Sequence, residues 1–202
     1  QGGGRAGRGA GGVGGEVGGG RGELFAGAEK RVRPGKGDKV IVAGNGHMID
    51  AMARAGTALN EPEYVITADE VASFILSRMR RDDGRLLHSW RNGQAKLDAY
   101  LDDYAALANS LVSLYEANFK ERWVDDAVQL MDIVLDKFAD PAGGAFFYTA
   151  SDHEQLIARN KELTDSSIPS GNSLAANALL RLGRLIGRSD YLDAEEQILA
   201  AG

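Results

Sequence analysis

The chain has 202 residues, a 44% apolar content and a formal net charge of −6, which is enough to bury a core in one or two domains. It contains no cysteine, which excludes a disulfide framework, a thiol nucleophile and cysteine-ligated zinc. No apolar run reaches membrane-spanning length and no signal-like segment opens the chain, so we expect a cytoplasmic protein without a membrane partner.

The first 22 residues form a Gly-rich tail that we predict to be disordered. Thirteen of them are Gly, and Arg5, Arg8 and Arg21 are scattered among them. Such a segment has almost no apolar side chains to bury. Because the tail carries three Arg and one Glu, residues 23–202 carry a net charge of −8, which disfavours a nucleic-acid surface there. We expect one folded domain over residues 23–202 and no nucleic-acid partner.

Beyond the tail, the first apolar pattern predicts a pair of helices. A short helix at residues 23–30 precedes it. Met48, Met52, Ala55 and Leu59 mark one stripe of a helix that ends before Pro62. Pro62 suits the first turn of a second helix, because proline has no backbone N–H to leave unpaired there.

Two further pairs follow along the chain. Residues 85–90 read as a short strand-like crossover that the turn signal Asn92-Gly93 closes. A second pair of helices begins near Asp102. The third begins after Pro169, where Ser170 is a suitable N-cap for a helix that runs to Gly187.

Equivalent positions in the three helix pairs recur at similar sequence separations. Asn45, Asp103 and Asn172 are 58 and 69 residues apart, and the aromatic residues that open the second helices are 59 and 68 apart. A period of this size is typical of stacked helical hairpins. We therefore predict an all-α fold with an inner layer of first helices and an outer layer of second helices. Every inner helix then starts at the same end, and the polar entry loops share one rim.

Three stretches resemble the helical region of YyaL-like proteins, also called spermatogenesis-associated protein 20 homologues or thioredoxin domain-containing proteins. They are DKVIVAGNGHMI, LDDYAALANSLVSLYEA and GGAFFYTASDHEQLIARNKELTDSSIPSGNSLAANALLRLG. The resemblance runs from about Leu24 to the C-terminus. It implies a six-hairpin (α/α) toroid similar to those of acylglucosamine 2-epimerases and glycoside hydrolases, which in this family follows a thioredoxin-like domain. No reaction is firmly assigned to the family.

The chain departs from this family pattern in its extent and at one loop. Three hairpins are present instead of six, so we expect a fragment: a partial (α/α) toroid, half of a six-hairpin barrel, with short β-like crossovers. The thioredoxin-like part is absent. Gly44 and His47 flank Asn45-Gly46, where the family usually has Trp and an apolar residue.

The candidate catalytic residues are rim carboxylates. Asp102 and Asp103 suit a general acid and a stabilising carboxylate for sugar chemistry, because two carboxylates flank a glycosidic bond in glycosidases. Equally, Asp at a helix N-terminus is an ordinary cap. Asp165 precedes its helix by five residues, so the sequence gives it no clear capping role, and we expect Asp103 and Asp165 to form the acid–base pair.

The candidate substrate-binding residues are polar or aromatic positions near the same rim. Each has a structural alternative as well: the polar residues complete first turns, and the aromatic ones pack in the core. His47, His88 and His153 lack ligand spacing, so we predict no metal site, and no cofactor motif occurs. The substrate-binding candidates are Asn45, Trp90, Tyr104, Ser170, Asn172 and Ser173.

Two functions from different classes remain open. One is an enzyme-like toroid whose rim binds a carbohydrate, and the other is a non-catalytic helical module that holds a partner. Three hairpins leave two open flanks, so we also expect exposed apolar residues that contact the missing half of the toroid or mediate self-association.

Overall fold

The computed structural model describes residues 20, 23–29, 31, 37–153 and 159–201. The chain divides into two units, Gln1–Asp38 and Lys39–Gly202. In the first unit, residues 23–29 are helical, as the sequence predicts. The tail predicted to be disordered, residues 1–22, lies outside the described residues except for Gly20. The second unit carries all the features considered below.

Within its described residues, the second unit is mostly helical with a small sheet, and none of its helices is long and apolar enough to cross a membrane. Three pairs of helices follow one another, separated by crossovers. The elements are β1 (Val40–Ile41), α1 (Val42–Leu59), α2 (Pro62–Arg78), β2 (Leu87–Arg91), β3 (Gln94–Asp98), α3 (Leu101–Asn118), α4 (Arg122–Lys137), α5 (Gly171–Ile186) and α6 (Ser189–Leu199).

The inner layer consists of α1, α3 and α5, with α3 packed between the other two. The backbone N–H of Ala43, in the first turn of α1, donates to a side chain in the first turn of α3. A Cβ on Gly171, the first residue of α5, would lie 3.2 Å from the backbone nitrogen of Asp102. The first turns of all three inner helices are therefore neighbours. The helices run parallel, with their N-termini on one rim, as the repeat predicts.

The outer helices pack against the inner ones with large apolar side chains. Trp123 opens α4 and is fully buried, and Phe138 is buried just beyond its end. Tyr191, in the first turn of α6, is also buried, and its hydroxyl donates to the carbonyl of Val128 at 3.1 Å and to Asp132 at 2.8 Å. This hydroxyl joins neighbouring outer helices while the ring fills the core, which is the usual use of a buried tyrosine.

Helix boundaries follow local sequence signals. Pro62 occupies the first turn of α2, and the Ser170 hydroxyl accepts from the Ser173 N–H at 3.1 Å, so both predicted helix starts are confirmed. Each inner helix ends in a left-handed residue: Asn60, Phe119 and Gly187. The same type of C-cap in all three pairs supports the repeat.

The predicted stripe of Met48, Met52, Ala55 and Leu59 lies on α1, but it is not the buried face of this helix. The residues of the stripe do lie on one face of the helix, but Met48 and Leu59 are 59% and 65% exposed. The buried face contains Ile49 and Ala53 together with small residues such as Gly46. A Cβ on Gly46 would lie 2.8 Å from the carbonyl carbon of Ala106, so the close approach of α1 and α3 depends on this glycine.

A polar network joins the inner helices below the rim. The Arg181 guanidinium on α5 donates to the Ser113 hydroxyl at 2.9 Å, to the Asn109 carbonyl at 3.0 Å and to Glu116 at 3.0 Å. The Ser113 hydroxyl in turn donates to Asp50 on α1. These contacts fix the axial register of the three helices.

The crossover between α2 and α3 is a β-hairpin. Asn92 and Gly93 both have positive φ, 51° and 78°, as the two central residues of a tight hairpin turn require. β2 pairs antiparallel with β3 on one side and with β1 on the other. This sheet places His88, on β2, beside the first turn of α3.

Candidate functional site

The centre of the candidate site is Asp103, in the first turn of α3, which is fully buried. Its Oδ1 accepts from the Ala43 N–H at 2.9 Å, and its Oδ2 accepts from the Tyr100 N–H at 3.0 Å. Both are N–H groups of helix N-termini, which lack partners within their own helices. One carboxylate therefore caps two neighbouring inner helices, and this capping role was one of the two alternatives from the sequence.

His88 completes the set of partners of Asp103. Its Nδ1 lies 2.8 Å from Asp103 Oδ2, and its side chain is 22% exposed. The hydrogen bond to Asp103 raises the pKa of His88 above its ordinary value, and this effect exceeds the opposing effect of burial. The imidazole is thus oriented through Nδ1 by a buried carboxylate, while the side chain still reaches the surface. An imidazole held in this way by a carboxylate is suited to proton transfer.

Asp102 differs from its neighbour because it is only half-buried. Its Oδ1 accepts from the Asp103 N–H at 3.1 Å. Burial, reinforced by the negative charge of Asp103, raises the pKa of Asp102 to about 6. A helix N-terminus normally lowers the pKa of a carboxyl group, so desolvation and like-charge repulsion outweigh the helix dipole here. A carboxyl group that titrates near neutral pH is a common feature of acid–base sites.

Aromatic rings surround these groups. The ring of Tyr100 stacks on Tyr148, with centroids 4.9 Å apart, and on His153 at 5.5 Å, and it meets His88 edge-on at 5.1 Å. Burial and the negative charges of Asp102 and Asp103 raise the pKa of Tyr148. Its hydroxyl therefore stays protonated beside the two carboxylates.

Asp165 has a different role from the one predicted. Its Oδ1 accepts from the Ser170 N–H and from the Ser173 hydroxyl, each at 2.8 Å. These bonds lower the pKa of Asp165, the Ser170 N–H having the largest effect. The expectation that Asp165 lacks a capping role was wrong: the loop folds back, so that an Asp five residues upstream caps the start of α5. Because it is ionised and bonded to its own helix start, it is poorly suited to be a general acid.

Two predicted ligand-binding residues beside it also have structural partners. Asn172 is 2% exposed; its Oδ1 accepts from the Phe146 N–H at 2.8 Å, and its Nδ2 donates to the carbonyls of Phe146 and Glu162. Burial and these three bonds leave Asn172 inaccessible to a ligand, contrary to the prediction, and it anchors the loop before α5 instead. Ser170 is the buried N-cap of α5, whereas Ser173 is exposed at the rim.

The aromatic candidates belong to the core. Tyr104 is 1% exposed and its hydroxyl accepts from the Leu86 N–H at 2.9 Å, so its predicted contact with a sugar is excluded by burial. Trp90 is half-buried and packs edge-on against Phe74 at 5.5 Å. Asn45 is half-buried in the first turn of α1, where its Nδ2 donates to the Ile41 carbonyl at 2.8 Å. Asn45 keeps its predicted place on the rim.

Sequence reasoning missed His88, Tyr100 and Tyr148. His88 was considered only as a metal ligand, because its contact with Asp103 depends on how the hairpin folds over the rim. Tyr100 directly precedes α3, and the Tyr148 carbonyl accepts from the Leu101 N–H at 3.0 Å. Position relative to the helix start was therefore the available signal: residues just before a rim helix, or on the crossover that reaches it, surround the rim carboxylates.

Parallel inner helices, each backed by an outer helix and starting at a shared polar rim, define a partial (α/α) toroid, as predicted. Solved structures with this fold are similar to the chain. Cellobiose 2-epimerase from Bacillus thermoamylovorans matches with a TM-score of 0.67, at 13% identity over 82% of this chain and 44% of that one. Unsaturated glucuronyl hydrolase from Bacillus sp. GL1 has a TM-score of 0.65, at 16% identity over 83% of this chain and 47% of that one. The GH76 α-mannanase from Bacteroides thetaiotaomicron has a TM-score of 0.64, at 16% identity over 82% of this chain and 45% of that one.

The sequence relatives agree with the predicted resemblance. No family model matches the chain. Spermatogenesis-associated protein 20 of Rattus norvegicus is 32% identical over 181 residues, which are 85% of this chain and 23% of that protein. The human protein is 30% identical over the same shares. The chain is therefore related to spermatogenesis-associated protein 20, and it spans about a quarter of the length of these curated relatives.

Proposed function

We propose that the rim of this partial toroid binds a carbohydrate, with Asp102 and His88 as an acid–base pair. The observation that carries this proposal is their convergence at one helix start: a half-buried carboxyl group and an imidazole oriented by buried Asp103, bordered by the rings of Tyr100 and Tyr148. Proteins of similar fold are named as a sugar epimerase, a mannose isomerase and glycoside hydrolases. Shared fold alone does not fix a function, so the argument depends on the site.

The local chemistry favours proton transfer over hydrolysis by two carboxylates. Asp103 accepts two backbone hydrogen bonds and contacts His88, and Asp165 caps α5, so neither is placed like the free acid of a glycosidase. The pKa of Asp102 is raised to about 6 and the pKa of His88 is raised above its ordinary value. In such a pair one group can remove a proton as the other supplies one. Such a pair suits epimerisation or isomerisation at a carbon beside a sugar carbonyl. Asp103 is then a positioning residue, and the predicted Asp103–Asp165 pair is replaced by Asp102 and His88.

A non-catalytic helical module is the second candidate. The observation that favours it is the capping geometry of Asp165, whose hydrogen bonds among the described residues go to Ser170 and Ser173 at the start of its own helix. In this function the rim carboxylates stabilise helix starts, and the chain holds a partner within a longer protein.

For that longer protein we also propose the cytoplasm as location and a thioredoxin-like domain beside the toroid, as the family resemblance implies. A tagged full-length relative that localises to another compartment would contradict the first point, and sequencing the complete transcript tests the second.

Carbohydrate binding is tested by NMR titration of the isotope-labelled chain with mannose, glucose and cellobiose. We expect resonances of His88, Tyr100 and Tyr148 to shift with millimolar affinity, and the affinity to change with a midpoint near pH 6, the pKa of Asp102. Asp102→Asn should remove the midpoint near pH 6. Asp125→Asn, in the first turn of the outer helix α4, is the matched control and should leave it unchanged. Absence of any shift at saturating sugar rejects the carbohydrate site and leaves the scaffold function.

A further inference from the structure

A second cleft, lined by polar and charged residues and by Leu97, lies on the β-hairpin. It has a volume of about 430 Å³ and contains side chains from both strands and from the residue before β1. Ser89 pairs with Lys96 and Arg91 with Gln94 across the hairpin. Because neighbouring strand residues point to opposite faces, these residues lie on the face opposite Trp90, which packs against Phe74. The cleft is therefore on the outer face of the sheet and separate from the rim site.

Its charge is opposite to that of the chain as a whole. Its described lining residues include three cations, Lys39, Arg91 and Lys96, and no acidic residue, whereas the chain has a net charge of −6. Arg91 already has an interaction partner, whereas neither Lys39 nor Lys96 has an ion-pair partner among the described residues. The positive charge of Lys39 also opposes protonation of the His88 imidazole. A concave surface with these cations attracts an anion.

The remaining lining residues are suited to bind the uncharged part of a ligand. Asn92 and Gln94 have side-chain amides that both donate and accept hydrogen bonds, as sugar hydroxyls require, and the Ser89 hydroxyl does the same. Leu97 adds an apolar surface. It is 62% exposed and has a φ of 64°, a left-handed conformation that a branched residue rarely adopts within a strand. Such strain persists mainly at functional sites.

We infer that this cleft binds a carboxylated sugar, a uronic acid or a short oligosaccharide that contains one. Lys39 and Lys96 bind the carboxylate, the amide and hydroxyl side chains bind the ring hydroxyls, and Leu97 contacts the apolar face of the ring. Inorganic phosphate satisfies only the cations, and a neutral sugar satisfies only the amides and Leu97. This inference stands apart from the proposed rim site, because it uses other residues on the opposite face of the hairpin.

The test is a titration of the full chain with glucuronate, glucose and inorganic phosphate, followed by backbone amide NMR and calorimetry. We expect glucuronate to shift the amides of residues 89–97 and to bind at least tenfold more tightly than glucose or phosphate. Lys39→Gln and Lys96→Gln should each weaken glucuronate binding at least fivefold. Both residues are exposed, so the variants should keep the far-UV circular dichroism and the melting temperature of the parent. Arg78→Gln, an exposed cation in the last turn of α2, is the matched control and should bind normally.

Each alternative outcome contradicts the inference. Equal affinity for phosphate shows a general anion surface, and equal affinity for glucose shows that the cations do not contribute. Shifts confined to His88, Tyr100 and Tyr148 place the ligand at the rim instead, which supports the proposed function but rejects this cleft. Absence of binding rejects the cleft and leaves the rim site untouched.

Discussion

Three aspartates at helix starts of this chain have three different environments. Asp103 is buried and caps two helices, Asp165 caps one helix from an exposed loop, and Asp102 is half-buried beside another negative charge. The sequence offers the same residue type at similar positions, and the local spacing does not separate a cap from a functional acid. Burial and the number of donors distinguish them, because a carboxylate with several N–H donors stays ionised whereas a desolvated one retains its proton.

At the residue scale, Asp102→Asn should stabilise the chain at neutral pH. The folded-state pKa of Asp102, about 6, lies above its ordinary value of 3.8. Its protonated form is therefore favoured by folding, and this contribution is present below pH 3.8 and is lost as the pH rises through 6. We expect the variant to gain about 1–3 kcal/mol in free energy of unfolding at pH 7.5 and almost nothing at pH 4. Urea denaturation at both pH values measures this gain.

Asp165→Asn is the comparison for that experiment, because its pKa is shifted in the opposite direction. The folded-state pKa of Asp165 is lowered, so its contribution to stability is present above the unfolded-state pKa and is lost as the pH falls. This variant should destabilise the chain at pH 7.5 and have little effect at low pH. If both variants change stability with the same sign at pH 7.5, the distinction between acid and cap is wrong.

At the element scale, local signals predicted where helices start and stop, but not which face is buried. Pro62, Ser170 and the Asn92-Gly93 turn act through their own backbone, so they are visible in the sequence. The buried face of α1 depends on how closely α3 approaches. Gly46 allows contact with Ala106, and this turns the larger Met48 outwards. The pairing of β1 with β2 and the contact between His88 and Asp103 are likewise non-local, and no local pattern reports them.

Substitutions of two glycines near the N-terminus of α1 test this packing. Gly46→Ala places a Cβ within 3.0 Å of the Ala106 Cβ and backbone, so we expect α1 and α3 to be forced apart. Overpacking of this kind should lower the free energy of unfolding by about 1–3 kcal/mol. Gly44→Ala in the same helix meets no atom within 4 Å and should raise it by about 0.5–1 kcal/mol through helix propensity. Urea denaturation of both variants measures the difference, and a Gly46→Ala chain as stable as the parent would contradict the close helix contact.

For the whole molecule, the exposed stripe on α1 has the apolar character expected at an open flank. Met48 and Leu59 are largely exposed, Met52 and Ala55 are half-buried between them, and Leu185 at the end of α5 is 46% exposed. In a closed toroid every inner helix packs against two neighbours, whereas α1 and α5 each pack mainly against one inner helix, α3. The chain also matches under half of the length of the toroid structures that it resembles.

We therefore expect the isolated chain to self-associate through the α1 stripe and to show no epimerase or hydrolase turnover, because an open site admits water that weakens the electrostatic effect of its carboxylates. Light scattering should give a mass above 21.5 kDa that increases with concentration. The Met48→Glu/Leu59→Lys double variant should shift the chain towards monomer. Ile66→Lys, on α2 and 50% exposed, is the control, because it removes an apolar side chain outside the stripe, and it should leave the association unchanged. A monodisperse parent chain with a cooperative melt and measurable turnover would show that three hairpins are sufficient.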